Sequence, residues 1–116
     1  MLEFILKAKI HRCYVTEDHL DYEGSITIGQ ELLQATGIKP LEKVEIYNVT
    51  NGNRFSTYVI KGKPEGKEII INGAAAHLAS KGDILIIAAY CLADSTETDK
   101  IQPRKITVTD QNNNFK

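Results

Sequence analysis

The chain is short of cysteine, of net charge and of uninterrupted apolar sequence, and each shortage removes a class of protein. Only Cys13 and Cys91 occur among 116 residues. They lie far apart, each inside an apolar run, which is the pattern of buried free thiols in a reducing compartment rather than of a disulfide framework. Lys plus Arg number 14 against 15 Asp plus Glu, a formal charge of −1. That balance offers no basic footprint for a phosphate backbone and no acidic tail, so nucleic acid is not an expected partner. The apolar opening, MLEFILKAKIHRC, is interrupted by charges. It reads as neither a secretory signal nor a membrane span, and a cytoplasmic protein without a membrane partner is expected. Without a secretory signal, the glycosylation pattern at Asn48-Val49-Thr50 is read as chance.

What is present is mostly strand. From Leu2 to Ile10 the even positions are apolar and the odd ones carry Glu3, Lys7 and Lys9, the period of a half-buried strand. Ile26 and Ile28, Val44 to Val49, Arg54 to Ile60, Ile69 to Ile71 and Ile84 to Leu92 supply further strands. Thr50-Asn51-Gly52-Asn53 is a hairpin turn, and Thr16-Glu17-Asp18 has the capping chemistry of a short turn. Gln30 to Thr36 reads as a short helix stopped by Gly37, and Gly73 to Leu78 as a small-residue turn or helical stub. So many short strands in one domain must close or leave bare edges, which predicts a small β-barrel, with an open sandwich as the alternative. The barrel is expected over residues 1–93. The polar segment 94–116 carries one weak strand signal, at Ile106 and Val108, and is expected to be partly disordered.

Several chemistries are not supported. Gly-x-Ser-x-Gly is absent, which argues against a serine hydrolase. His11 and Cys13 share a strand face, but no further ligand stands at a zinc spacing, so no metal site is expected and His11 reads as a surface histidine. Arg54, Ser56 and Tyr58 share strand parity, so a cation, a hydroxyl and a phenol line one wall. Gly73-Ala74-Ala75-Ala76 has no bulky side chain, a composition that suits either tight packing or backbone approach to a small anion.

Four segments together carry a resemblance. Lys9-Ile10-His11-Arg12, Tyr22-Glu23-Gly24-Ser25, Asn51-Gly52-x-Arg54-Phe55-Ser56-Thr57-Tyr58 and Asn72-Gly73-Ala74-Ala75-Ala76 resemble the bacterial aspartate 1-decarboxylases in order and spacing, from about Lys7 to Tyr90. The resemblance implies a six-stranded double-psi β-barrel with short helices, assembled as a homotetramer with active sites between subunits. It implies a proenzyme cut between Gly24 and Ser25. In that chemistry Ser25 Oγ attacks the Gly24 carbonyl carbon, an N-to-O acyl shift forms an ester, and elimination of the Gly24 carboxylate leaves dehydroalanine. Hydrolysis of the latter releases ammonia and leaves a pyruvoyl group, the only cofactor implied. Glycine at position 24 is expected to provide backbone freedom, since strained conformations store roughly 1–3 kcal/mol.

The resemblance assigns further roles. Thr57 stabilises the oxyanion during cleavage, and the pyruvoyl group forms a Schiff base with L-aspartate, whose decarboxylation gives β-alanine for pantothenate synthesis. Tyr58, a phenol and so protonated at neutral pH, donates the proton. Arg54 clamps a carboxylate and Lys9 adds a point charge, while Thr57, Asn72, Gly73, Ala74 and Ala75 hold the substrate. A maturation factor is a further candidate partner. Strand alternation puts Thr57 opposite Arg54 and Tyr58, a conflict that a bulge or a strand shared by two subunits' sites resolves. A barrel that binds a small acid without maturing is the rival from another class.

Overall fold

The computed structural model describes residues 1–116. Eight strands form one sheet in the order β2-β6-β3-β5-β4-β7-β1-β8. They are β1 (Leu2–Tyr14), β2 (Glu17–His19), β3 (Ser25–Ile28), β4 (Lys43–Asn48), β5 (Arg54–Lys61), β6 (Ile69–Asn72), β7 (Ile84–Asp94) and β8 (Arg104–Thr107). The protein is mainly β, with eight strands where the resemblance implies six. One helix, α1 (Gln30–Thr36), and short 3₁₀ turns at Gly73–His77 and Thr98–Lys100 complete it.

The local signals act as their chemistry requires. Gly37 ends α1 in the left-handed region at φ 75°, its N–H donating to the Leu33 carbonyl. Gly52 turns the β4–β5 hairpin at φ 81°. The sheet curls until its ends meet, for Thr16 N–H, just past β1, donates to the Ile69 carbonyl of β6. Inside the curl lie Ile10, Ile26, Ile28, Ile46, Ile69, Ile71, Leu85 and Ile87, all fully buried. The branched side chains that favour strands are thus also the core.

Three expectations need correction. Glu17–His19 is a strand parallel to β6, not a turn, because backbone pairing with Ile70–Asn72 outweighs the local capping signal. The segment after Asp94 is docked rather than partly disordered: β8 lies parallel to β1, Ile106 and Val108 are buried, and Asn113 is wholly enclosed. In β1 the even face does not stay in the core. Register shifts between Leu6 and Ala8 and between Ile10 and Cys13 break it, so Leu2 and Phe4 stand exposed on an apolar face with Tyr90 and Leu92 of β7.

Candidate active site

Ser25 opens β3 and is only 4% exposed. β3 lies between β5 and β6, and its antiparallel register sets Ser25 directly opposite Asn72. The Asn72 amide donates to Ser25 Oγ at 3.0 Å and to Thr27 Oγ1 at 3.0 Å, which strand parity places on the same side as Ser25. Ser25 Oγ in turn donates to the Glu23 carbonyl at 3.3 Å. The hydroxyl is therefore buried, oriented and short of water.

The glycine that matters for backbone geometry is Gly73 and not Gly24. Gly73 sits at φ 72°, and a Cβ there meets Gly24 Cα, Gly24 N and the Tyr22 carbonyl oxygen, each at 2.6 Å. Only a residue without a side chain lets the Tyr22–Gly24 backbone lie this close. Gly24 is not in the left-handed region, and a Cβ built on it meets nothing within 4 Å. The strain expected at Gly24 is not found in its φ.

Two hollows flank the Gly24-Ser25 join. A cleft of about 690 Å³ is lined by Ser25, Thr27, Tyr58 and Asn72, together with Glu17, His19, Tyr22, Glu23, Ile60 and Ile70. A smaller notch, about 280 Å³, is lined by Gly24, Thr57, Ala74 and Ala75, with Phe55, Ser56 and Leu78. β5 supplies a wall to each. Its pairing with β4 runs without a break from Arg54 opposite Tyr47 to Tyr58 opposite Lys43, so no bulge is present. On this unbroken strand Thr57 lines the notch beside Gly24 and its neighbour Tyr58 the cleft beside Ser25.

Lys9 and Arg54 are not brought to this cleft. Arg54 lies over the Tyr47 ring, 4.4 Å from its centroid, and Lys9 pairs with Ala88 and Lys105 on the far strands. Tyr47 shares a hydrogen bond with Tyr90, hydroxyl to hydroxyl at 2.9 Å, and this bond with partial burial pushes its phenol up to about 12. The cleft itself holds two carboxylates, Glu17 and Glu23, and neither lysine nor arginine. A single chain thus presents an acidic cleft.

His11 is not a plain surface residue, since its Nδ1 is buried without a hydrogen-bond partner. Burial, then the charges of Lys9 and Arg12, hold its pKa below the usual imidazole value. The bulge at Arg12, φ 67°, separates it from Cys13, which is sealed in the core with its thiol pushed up to about 12 by burial. Their shared strand face does not survive the bulge.

A family model described as aspartate decarboxylase matches residues 1–115. The chain belongs to that family. It is 54% identical over 113 residues to the aspartate 1-decarboxylase of Hydrogenobaculum sp. (strain Y04AAS1), covering 97% of this chain and 89% of the relative. It is 52% identical over 108 residues to that of Caldicellulosiruptor bescii, covering 93% and 84%, and 55% identical over 91 residues to that of Pyrobaculum islandicum, covering 78% and 74%. Membership of the aspartate decarboxylase family makes the chain an enzyme, a decarboxylase.

Sequence reasoning overlooked part of the cleft in this decarboxylase. Thr27 was legible in principle, two residues from Ser25 on one strand. Glu17 and His19 were not, because β2 has no apolar alternation and exists through its pairing with β6.

Proposed function

We propose that the chain is made as a proenzyme, cuts itself between Gly24 and Ser25, and uses the pyruvoyl group formed from Ser25 to convert L-aspartate to β-alanine and carbon dioxide, supplying pantothenate and coenzyme A synthesis. The observation that carries this reading is a buried Ser25 hydroxyl, held by Asn72, at a join with a hollow on either side. An acyl shift needs an oxygen nucleophile kept from water and a donor near the carbonyl it attacks. Ser25 meets the first need, and Thr57, in the notch with Gly24, is the candidate for the second.

Ser25 Oγ adds to the Gly24 carbonyl carbon, and the Gly24–Ser25 C–N bond then breaks as the nitrogen takes a proton. Loss of the Ser25 α-proton expels the Gly24 carboxylate, and water converts the remaining dehydroalanine to the ketone with release of ammonia. The pyruvoyl carbonyl supplies an electrophile for the substrate amine and a sink for the electrons left when carbon dioxide departs. Tyr58, half-exposed in the cleft, holds the proton destined for the former α-carbon. Asn72 and the Gly73–Ala75 backbone orient the substrate.

A dicarboxylate will not settle beside Glu17 and Glu23 without cations, and within one chain Arg54 and Lys9 stand elsewhere. This supports a site completed by a neighbouring subunit that brings them, as in the cytoplasmic homotetramer we propose. The apolar face of Phe4, 76% exposed, with Tyr90 and Leu92 supports the same assembly, since a patch of this kind favours burial against another copy.

Denaturing mass spectrometry tests the reading. Two fragments, Met1 to Gly24 and a pyruvoyl-capped Ile26 to Lys116, are expected, together with borohydride trapping of aspartate on the larger one. An intact chain after long incubation that traps no aspartate with borohydride overturns the self-cleavage and the pyruvoyl group.

A further inference from the structure

We infer that His19 is a positioning residue for chain cleavage: by stacking on Tyr22 it holds the Tyr22–Gly24 backbone against Gly73, and so sets the geometry of the bond that Ser25 attacks. The inference rests on the self-cleavage proposed above.

The two rings lie with centroids 4.6 Å apart and planes 16° from parallel. His19 is itself well anchored, for it ends β2 in register with Asn72, and its Nε2 lies 3.0 Å from Glu17 Oε2. The Tyr22 N–H closes the intervening turn onto the His19 carbonyl at 3.3 Å. Tyr22 is 62% exposed, so burial does little to fix its ring. The stack does.

Two residues later the chain reaches Gly24, where Gly73 lies too close to Tyr22 O and Gly24 N to admit a methyl group. The segment is thus held by a ring contact at Tyr22 and by the bare backbone of Gly73, with Asn72 holding the attacking oxygen beyond it. An intramolecular attack depends on the fraction of time its atoms are aligned. Releasing the ring loosens the acyl side while leaving the nucleophile in place.

The test follows cleavage of freshly purified full-length precursor by denaturing mass spectrometry, beside the melting temperature of the uncut chain. His19→Ala is expected to slow cleavage about three- to tenfold, the range an aromatic pair contributes, with little change in melting temperature because the pair is exposed. His19→Phe keeps a ring without the nitrogen that meets Glu17 and is expected to restore the rate. Tyr22→Ala is expected to match His19→Ala, and the double variant to be no slower than either. A wild-type rate in His19→Ala overturns the inference, as do multiplying defects in the double variant. A slow His19→Phe assigns the effect to the Glu17 pair and also overturns it. If the wild-type chain never cleaves, the self-cleavage reading falls first, a result distinct from normal cleavage in the variants.

Discussion

The Asn72 amide donates to the hydroxyl oxygen of Ser25 at 3.0 Å from the position directly across the sheet. One side chain thereby ties the candidate nucleophile to the strand that runs into Gly73. With Asn72→Ala the Ser25 and Thr27 oxygens both lose this donor. The cost expected is about 1–3 kcal/mol, since Ser25 is buried, with slower cleavage of the precursor. Urea denaturation and a mass time course measure the two effects, and unaltered cleavage removes Asn72 from the positioning of Ser25.

Tyr58 faces the cleft that holds Ser25, while Thr57 faces the notch that holds Gly24. The two substitutions are therefore expected to separate two stages. Tyr58→Phe should mature normally and bind aspartate, with turnover reduced roughly a hundredfold or more, the scale of a lost general acid. Thr57→Val should mature slowly. Near-normal turnover in mature Tyr58→Phe rules out the phenol as donor.

Asn113 connects the C-terminal segment to the last residue of β1 and to the loop that leads into β6. Its Oδ1 accepts from Tyr14 N–H at 2.8 Å, and its Nδ2 donates to the Tyr14 and Lys67 carbonyls at 3.0 and 2.9 Å. It also sits at φ 58°, a conformation asparagine tolerates better than alanine. Leaving these buried groups unpaired costs about 1–3 kcal/mol each, so Asn113→Ala is expected to lower stability by ~3 kcal/mol or more. Asn113→Gly, free of the backbone penalty, should recover only a part. A loss below about 1 kcal/mol in the alanine variant contradicts a structural role for this segment.

Cys13 gives a pH signature. Its folded thiol is pushed up to about 12 from an ordinary value of 9.0, so the native state holds a proton that the unfolded state gives up sooner. Its contribution is complete below pH 9 and is lost progressively as pH rises from 9 toward 12. The stability advantage of the wild-type chain over Cys13→Ala should therefore shrink above pH 9, as read from paired melts across that range. An advantage independent of pH would show that Cys13 ionises as readily in the fold as outside it.

Much of the fold was legible because it is local. The α1 helix with its Gly37 stop, the Gly52 hairpin and the alternating branched residues of β3 to β7 depend on chemistry within a few residues. β2 and β8 were less so. Their side chains carry little apolar alternation, and each strand exists because an already formed neighbour, β6 or β1, offers unpaired backbone groups. The same holds for the site: alternation along β5 sets Thr57 and Tyr58 on opposite faces, but nothing in the motifs shows that Gly24 shares a hollow with the first and Ser25 with the second.

By itself the sequence determined the strand-rich class, the family and the Gly24-Ser25 join, because period, turn residues and motif order are properties of neighbours along the chain. Only the tertiary structure decided that Gly73 packs against Gly24 and His19 on Tyr22, that Arg54 and Lys9 stand away from the join, and that the polar tail docks beside β1. Apart from the ring pair, those are contacts between strands distant in sequence, and their geometry comes from sheet register and curl, which no local signal encodes.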